Sequence, residues 1–216
     1  MVKGLDTFQK YFADYEEQYV LIGGAACDIL FESNEVNFRA TRDLDMVLIV
    51  EALTPEFGEK FWKFIVDGKY RNKATNGSTP QFYRFDKPED DNFPKMIELF
   101  CRSDFKLKDA KGITPIHIDD EVSSLSAILL NDDYYKALLN GKVMRNGLSV
   151  LRPEYIILFK AKAYLDLKKQ KDLGKKVDSS DIKKHKKDVL RIASELMLEK
   201  VEELPIAVDA DIHSFI

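Results

Sequence analysis

Asp43, Asp45 and Glu98 are acids set in stretches that otherwise suit a buried strand. Asp43-Leu44-Asp45 runs straight into Met46-Val47-Leu48-Ile49-Val50. Strand side chains two positions apart project to the same face, so both carboxylates would share one side of a sheet. Like charges held a few Å apart repel unless a cation lies between them. Paired hard oxygens suit Mg²⁺ or Mn²⁺, which take one or two carboxylates and complete their shell with water and substrate phosphates. A bare D-x-D is a weak signal, since the same acids at a solvated strand entrance would do nothing. Glu98 sits in Lys95-Met96-Ile97-Glu98-Leu99-Phe100. Glu is depleted from strands and rarely buried without a partner. It reads either as an edge residue facing water or as a third metal ligand or general base.

The elements that must position these acids follow from the flanking residues. Tyr19-Val20-Leu21-Ile22 is a short apolar strand stopped by Gly23-Gly24, and Ala25 to Phe31 reads as helix. With no side chains at the turn, backbone can approach a phosphate, and a helix N-terminus favours its charge. Leu5 to Gln18 has helical apolar spacing. Thr54 is a helix N-cap with Pro55 at the first helical position, opening a helix through Val66 whose Phe61, Trp62, Phe64 and Ile65 are core. Gln81 to Asp86 and Lys95 to Arg102 predict two strands joined by a polar turn, and Ile113 to Asp119 and Leu125 to Leu130 predict further short ones. Asn146-Gly147 between Val143-Met144 and Leu148-Val150 is a hairpin signal. After Pro153 the pattern turns helical, over Glu154 to Lys169 and Ser180 to Glu199. The expected organisation is an α/β core over 1–150, a mixed twisted sheet flanked by helices, followed by a helical subdomain over 151–216.

Taken in order, this is a glycine turn, a helix, Arg39-Ala40-Thr41-Arg42-Asp43-Leu44-Asp45, a hairpin, and one acid within a strand. The pattern resembles the DNA polymerase β-like nucleotidyltransferase superfamily. Within it, the pattern is most similar to the abortive-infection nucleotidyltransferase toxins of bacterial type IV toxin–antitoxin systems and their uncharacterised relatives. Their first motif reads as a glycine turn, a helix, then R-x-T-x-D-[LI]-D. The resemblance spans roughly residues 19–192 and continues into Tyr155-Ile156-Ile157-Leu158-Phe159-Lys160-Ala161-Lys162-Ala163, where Lys160 matches a family lysine. It departs where Ala25 or Ala26 stands in place of a hydroxyl, where an arginine after Lys160 is missing, and at a last motif in which Lys187-Asp188 alone aligns. The roles of Lys162, Asp181 and Asp188 stay open.

The resemblance implies a nucleotidyltransferase fold and an Mg²⁺-dependent transfer of NMP from an NTP such as ATP to an acceptor hydroxyl, with pyrophosphate leaving. Asp43 and Asp45 would hold metal, and Glu98 would ligate metal or take the hydroxyl proton. Gly23 and Gly24 would cradle phosphates, Arg39 and Thr41 would lie at the nucleotide and metal site, and Lys160 would offset triphosphate charge. The acceptor stays open among RNA, protein and small molecule, and an antitoxin is an implied partner. Two rival readings stand beside it. One is a D-x-D nucleotide-sugar glycosyltransferase, which gives Gly23-Gly24 no role and normally needs a larger sugar-binding half. The other is a non-catalytic nucleotide-binding module.

Composition frames these expectations. The 216 residues carry a formal net charge of −4 and 45% apolar side chains, typical of a globular domain. No apolar run approaches the ~20 residues of a membrane span and no secretory signal opens the chain, so a cytoplasmic protein with no membrane partner is expected. Cys27 and Cys101 are expected as free core thiols, and His117 and His213 show no zinc spacing. His185, within a lysine run, is expected to be solvated. Residues 152–191 hold 13 Lys+Arg against 6 Asp+Glu, leaving −11 on the rest of the chain. The near-neutral total is therefore an acidic core and a basic helical arm, and the arm could attract RNA.

Overall fold

The computed structural model describes residues 2–32, 43–72, 82–101, 128–129, 131–201 and 203–216. The chain divides into two compact units, Met1–His117 with Val143–Val150, and Ile118–Lys142 with Leu151–Ile216. Residue 150 is thus one of three points at which the chain passes between units.

The first unit is built on a mixed sheet. Its strands are β1 (Tyr19–Ile22), β2 (Asp43–Leu48), β3 (Arg71–Asn72), β4 (Phe82–Asp86), β5 (Met96–Cys101), β6 (Lys142–Arg145) and β7 (Leu148–Leu151), in spatial order β3-β4-β5-β2-β1-β7-β6. β1 pairs antiparallel with β2, and β2 runs parallel to β5. β4 is antiparallel to β5, and β1 is parallel to β7. All four residues of β1 are buried, as expected of a central strand covered on both faces. The hairpin of β6 and β7 turns on Asn146 and Gly147, both at positive φ (50° and 72°), which is what a two-residue primed turn requires.

Helices α1 (Leu5–Tyr11), α2 (Gly23–Glu32) and α3 (Pro55–Asp67) complete this unit. The expected first helix stops at Tyr11, and Glu16–Gln18 forms a separate 3₁₀ turn. Phe12, one turn after Phe8, is fully buried against Phe57, Phe61 and Phe64 of α3. Thr54 caps α3 by accepting the Phe57 N–H at 3.3 Å, with Pro55 following it, as the sequence predicts.

The second unit is helical: α4 (Asp132–Gly141), α5 (Pro153–Asp172), α6 (Ser179–Glu195) and α7 (Ile206–Phe215). Ile128 and Leu129 are helical, which corrects at these two residues the strand expected over Leu125 to Leu130, whose other residues lie outside those described. The apolar run there is short, and a run of that length does not separate a buried helix from a strand. Asn131 caps α4 by accepting the N–H groups of Asp133 and Tyr134. The strand expected over Ile113 to Asp119 lies outside the described residues. His185 is also corrected, because it is buried. It shares one face of α6 with Asp188, Val189 and Ile192, at helical spacing, and that face packs inward while the neighbouring lysines face water. Among the described residues no helix is long and apolar enough to cross a membrane.

Candidate functional site

Strand register sets the acids. Asp45 on β2 lies directly across from Glu98 on β5, and Glu98 lies directly across from Arg84 on β4. On its other side Asp45 is opposite Ile22, the last residue of β1. One row of the sheet therefore reads Arg84, Glu98, Asp45, and it ends at the residue before Gly23. Asp43 and Asp45 are half-buried and alternate with fully buried Leu44 and Met46. Both aspartates thus share the face opposite the apolar side chains.

The helix α2 begins at Gly23, two residues earlier than the sequence suggests, so both glycines form its first turn. Gly23 has φ +64°. A Cβ placed there would overlap the Asp45 carboxylate, with Oδ2 the nearest atom. The Asp45 side chain thus lies over bare backbone at the start of a helix, where unsatisfied N–H groups favour an anion.

Glu98 is buried, with 8% of its surface exposed. Arg84 donates to its Oε1 through Nε at 2.8 Å, and Nη2 lies 2.6 Å from the same oxygen. Burial is the largest influence on the Glu98 carboxyl and pushes it above the ordinary carboxylate range. The Arg84 charge and hydrogen bond, and a hydrogen bond with Asp45, oppose that rise, while the Asp43 charge adds to it. Asp45 and Glu98 are neighbours across the β2–β5 pair, with the Asp43 charge near enough to be felt.

Of the sequence-predicted residues, the structure brings Gly23, Asp43, Asp45 and Glu98 together, with Gly24 next in the helix. Arg39 and Thr41 lie outside the described residues. Lys160 belongs to the second unit, where it is buried on α5 and its Nζ donates to Asp188 Oδ2 of α6 at 2.7 Å. The positive charge expected to face a triphosphate is thus matched by a buried carboxylate. Lys162 lies 3.0 Å from Asp166 and 3.3 Å from Asp211.

The acids fit a divalent cation as a pair, not as a cage. Among the described residues no three His, Cys, Asp or Glu side chains are grouped so as to hold a metal ion. Glu98 is instead engaged by Arg84. Two aspartates on one face, beside the glycine start of a helix, suit Mg²⁺ or Mn²⁺, whose remaining ligands come from water and substrate. Arg84 is the site residue that sequence reasoning misses. Its one signal is alternation within β4, and that places it beside Glu98 only once the register of β4 on β5 is known.

No protein-family model matches the chain, and no curated protein matches it. Among solved structures it is similar to an antigenic nucleotidyltransferase-like protein from Paracoccidioides brasiliensis, at 16% identity and a TM-score of 0.47 over 98% of this chain and 86% of that one.

Proposed function

We propose that the chain is a divalent-metal-dependent nucleotidyltransferase that moves NMP from an NTP to an acceptor hydroxyl. The observation that carries this reading is the position of Asp45, directly across from Glu98 on one side and over the bare Gly23 backbone on the other. It joins a carboxylate pair to the glycine start of a helix in one place. The motif resemblance through Arg39, Thr41, Asp43 and Asp45 supports the same chemistry.

Asp43 and Asp45 hold Mg²⁺ or Mn²⁺ on the open face of β2. When bound, the metal polarises the phosphoryl oxygens and stabilises charge on the attacking and leaving atoms. Backbone N–H groups of Gly23 and Gly24, which carry no side chains of their own, hold the β- and γ-phosphates beside the Asp45 carboxylate. Glu98, with a carboxyl pushed up by burial, takes the proton of the incoming hydroxyl. The hydroxyl oxygen bonds to the α-phosphorus in line as the bond to the bridging oxygen breaks, and pyrophosphate leaves. Lys160 has no part in this scheme, since Asp188 already matches its charge.

A polyanionic acceptor such as RNA is favoured by the second unit. Lys168, Lys169, Lys171, Lys175, Lys176, Lys183, Lys186 and Lys187 are all exposed on α5, α6 and their link. Such a surface attracts a phosphate backbone without reading sequence. Toxin activity and an antitoxin partner are further proposals that rest on the motif resemblance alone.

The test is incubation of the purified chain with Mg²⁺ or Mn²⁺, each α-labelled NTP, and RNA, protein and small-molecule acceptors in turn. Metal-dependent label transfer, lost in Asp43→Asn and Asp45→Asn, is expected. Transfer that persists in both variants, or none at all, overturns the reading. Transfer of sugar from a labelled nucleotide-sugar would favour a glycosyltransferase instead.

A further inference from the structure

We infer that Arg84 is a positioning residue for the metal site and acts through Glu98. This inference rests on the reading of Asp43 and Asp45 as metal ligands and goes beyond it by assigning a residue that no site motif contains. Arg84 stands on β4, two strands away from the aspartates, and reaches them along one row of the sheet. Two of its contacts fall on the same oxygen of Glu98, Nε at 2.8 Å and Nη2 at 2.6 Å. Two contacts from one planar group fix the orientation of a carboxylate, where a single contact would let it rotate.

Glu98 has three rotatable side-chain bonds and a buried charged end, so it needs a partner to stay in one place. Arg84 supplies that partner from the side away from Asp45. On its other side Glu98 lies directly across from Asp45 in the register of β5 on β2. Asp45 is confined on its other side by Gly23. The metal-binding carboxylate is thus held between a glycine backbone and an anchored glutamate. Arg84 is itself one-quarter exposed (26% of its side chain), so its replacement leaves room for solvent instead of a sealed cavity. Outer residues that orient metal ligands typically account for about 10–100-fold in metal affinity.

The experiment measures Mn²⁺ affinity of the full chain by electron paramagnetic resonance of the free ion, with the metal alone as the probe. Arg84→Lys is the informative variant, because it keeps the charge and loses the planar fork. The expected result is Mn²⁺ affinity weakened about tenfold in Arg84→Lys, with an unfolding midpoint close to wild type. In a Glu98→Gln background, adding Arg84→Lys is expected to change affinity by less than about twofold, as a residue acting through Glu98 must. Wild-type affinity in Arg84→Lys, or an equal loss with and without Glu98, overturns the inference. Wild-type protein that binds no Mn²⁺ sensitive to Asp43→Asn overturns the metal reading, and this inference falls with it.

Discussion

The Asp45 carboxylate lies over the backbone of Gly23, so close that a Cβ on the glycine would overlap Oδ2. Gly23 also holds φ +64°, which a residue with a Cβ adopts at a cost. Gly23→Ala therefore pushes Asp45 out of its row and strains the start of α2. The expected outcome is a loss of about 1–3 kcal/mol in urea unfolding, together with weakened Mn²⁺ binding. Gly58→Ala is the control, since nothing lies within 4 Å of a Cβ there. It should change metal binding not at all.

Glu98 makes stability depend on pH in a defined direction. Burial first, and the Asp43 charge after it, raise its carboxyl above the ordinary value of 4.5, against the pull of Arg84 and Asp45. Between the ordinary and the raised value, the folded chain keeps a proton that the unfolded chain has lost. Stability contributed by this group is therefore complete below the ordinary value and declines as pH rises through the raised one. Urea titrations from about pH 4 to 8 should show that decline in wild type and a flatter curve in Glu98→Gln. Identical slopes in the two proteins would remove Glu98 as the source.

The buried pair of Lys160 and Asp188 joins α5 to α6 at 2.7 Å. Removing one partner leaves the other charge buried without this ion pair. Lys160→Met is expected to cost about 3–5 kcal/mol, and Lys160→Met with Asp188→Leu to recover most of that loss. Chemical unfolding of wild type and these two variants measures it. If Lys160→Met is as stable as wild type, the pair does not hold these helices together.

The C-terminal helix α7 is tied down by polar contacts. Tyr134 Oη donates to Asp211 at 3.0 Å, Lys162 lies 3.3 Å from the same carboxylate, and Asp133 accepts the Ala207 N–H at 3.0 Å. Tyr134→Phe removes one hydrogen bond to a charged acceptor, a loss of about 1.5 kcal/mol. Hydrogen exchange should quicken in 206–215 and stay unchanged in 19–22.

Local chemistry made much of this fold legible. Thr54-Pro55 marked the start of α3, Asn146-Gly147 marked a hairpin, and the D-x-D run marked β2, because each signal lies within a few residues. The helix α4 has an equally local cap in Asn131, yet the apolar run before it reads as strand and hides it. His185 looks solvated among lysines, and only the face that α6 turns inward shows otherwise. At the site, Asp43 and Asp45 share a face by spacing alone. Arg84 and Glu98 meet through a register between strands that no spacing encodes, which is why sequence reasoning misses Arg84.

The central claim is that Asp43 and Asp45 hold a divalent ion beside the start of α2. Anomalous diffraction from crystals soaked with Mn²⁺ and a non-hydrolysable NTP tests it most directly. The account predicts an anomalous peak bonded to oxygens of both Asp43 and Asp45 at the roughly 2 Å typical of such ions, with the triphosphate against Gly23 and Gly24. Mn²⁺ bound elsewhere, or a triphosphate seated away from Gly23 while these acids stay metal-free, would contradict it.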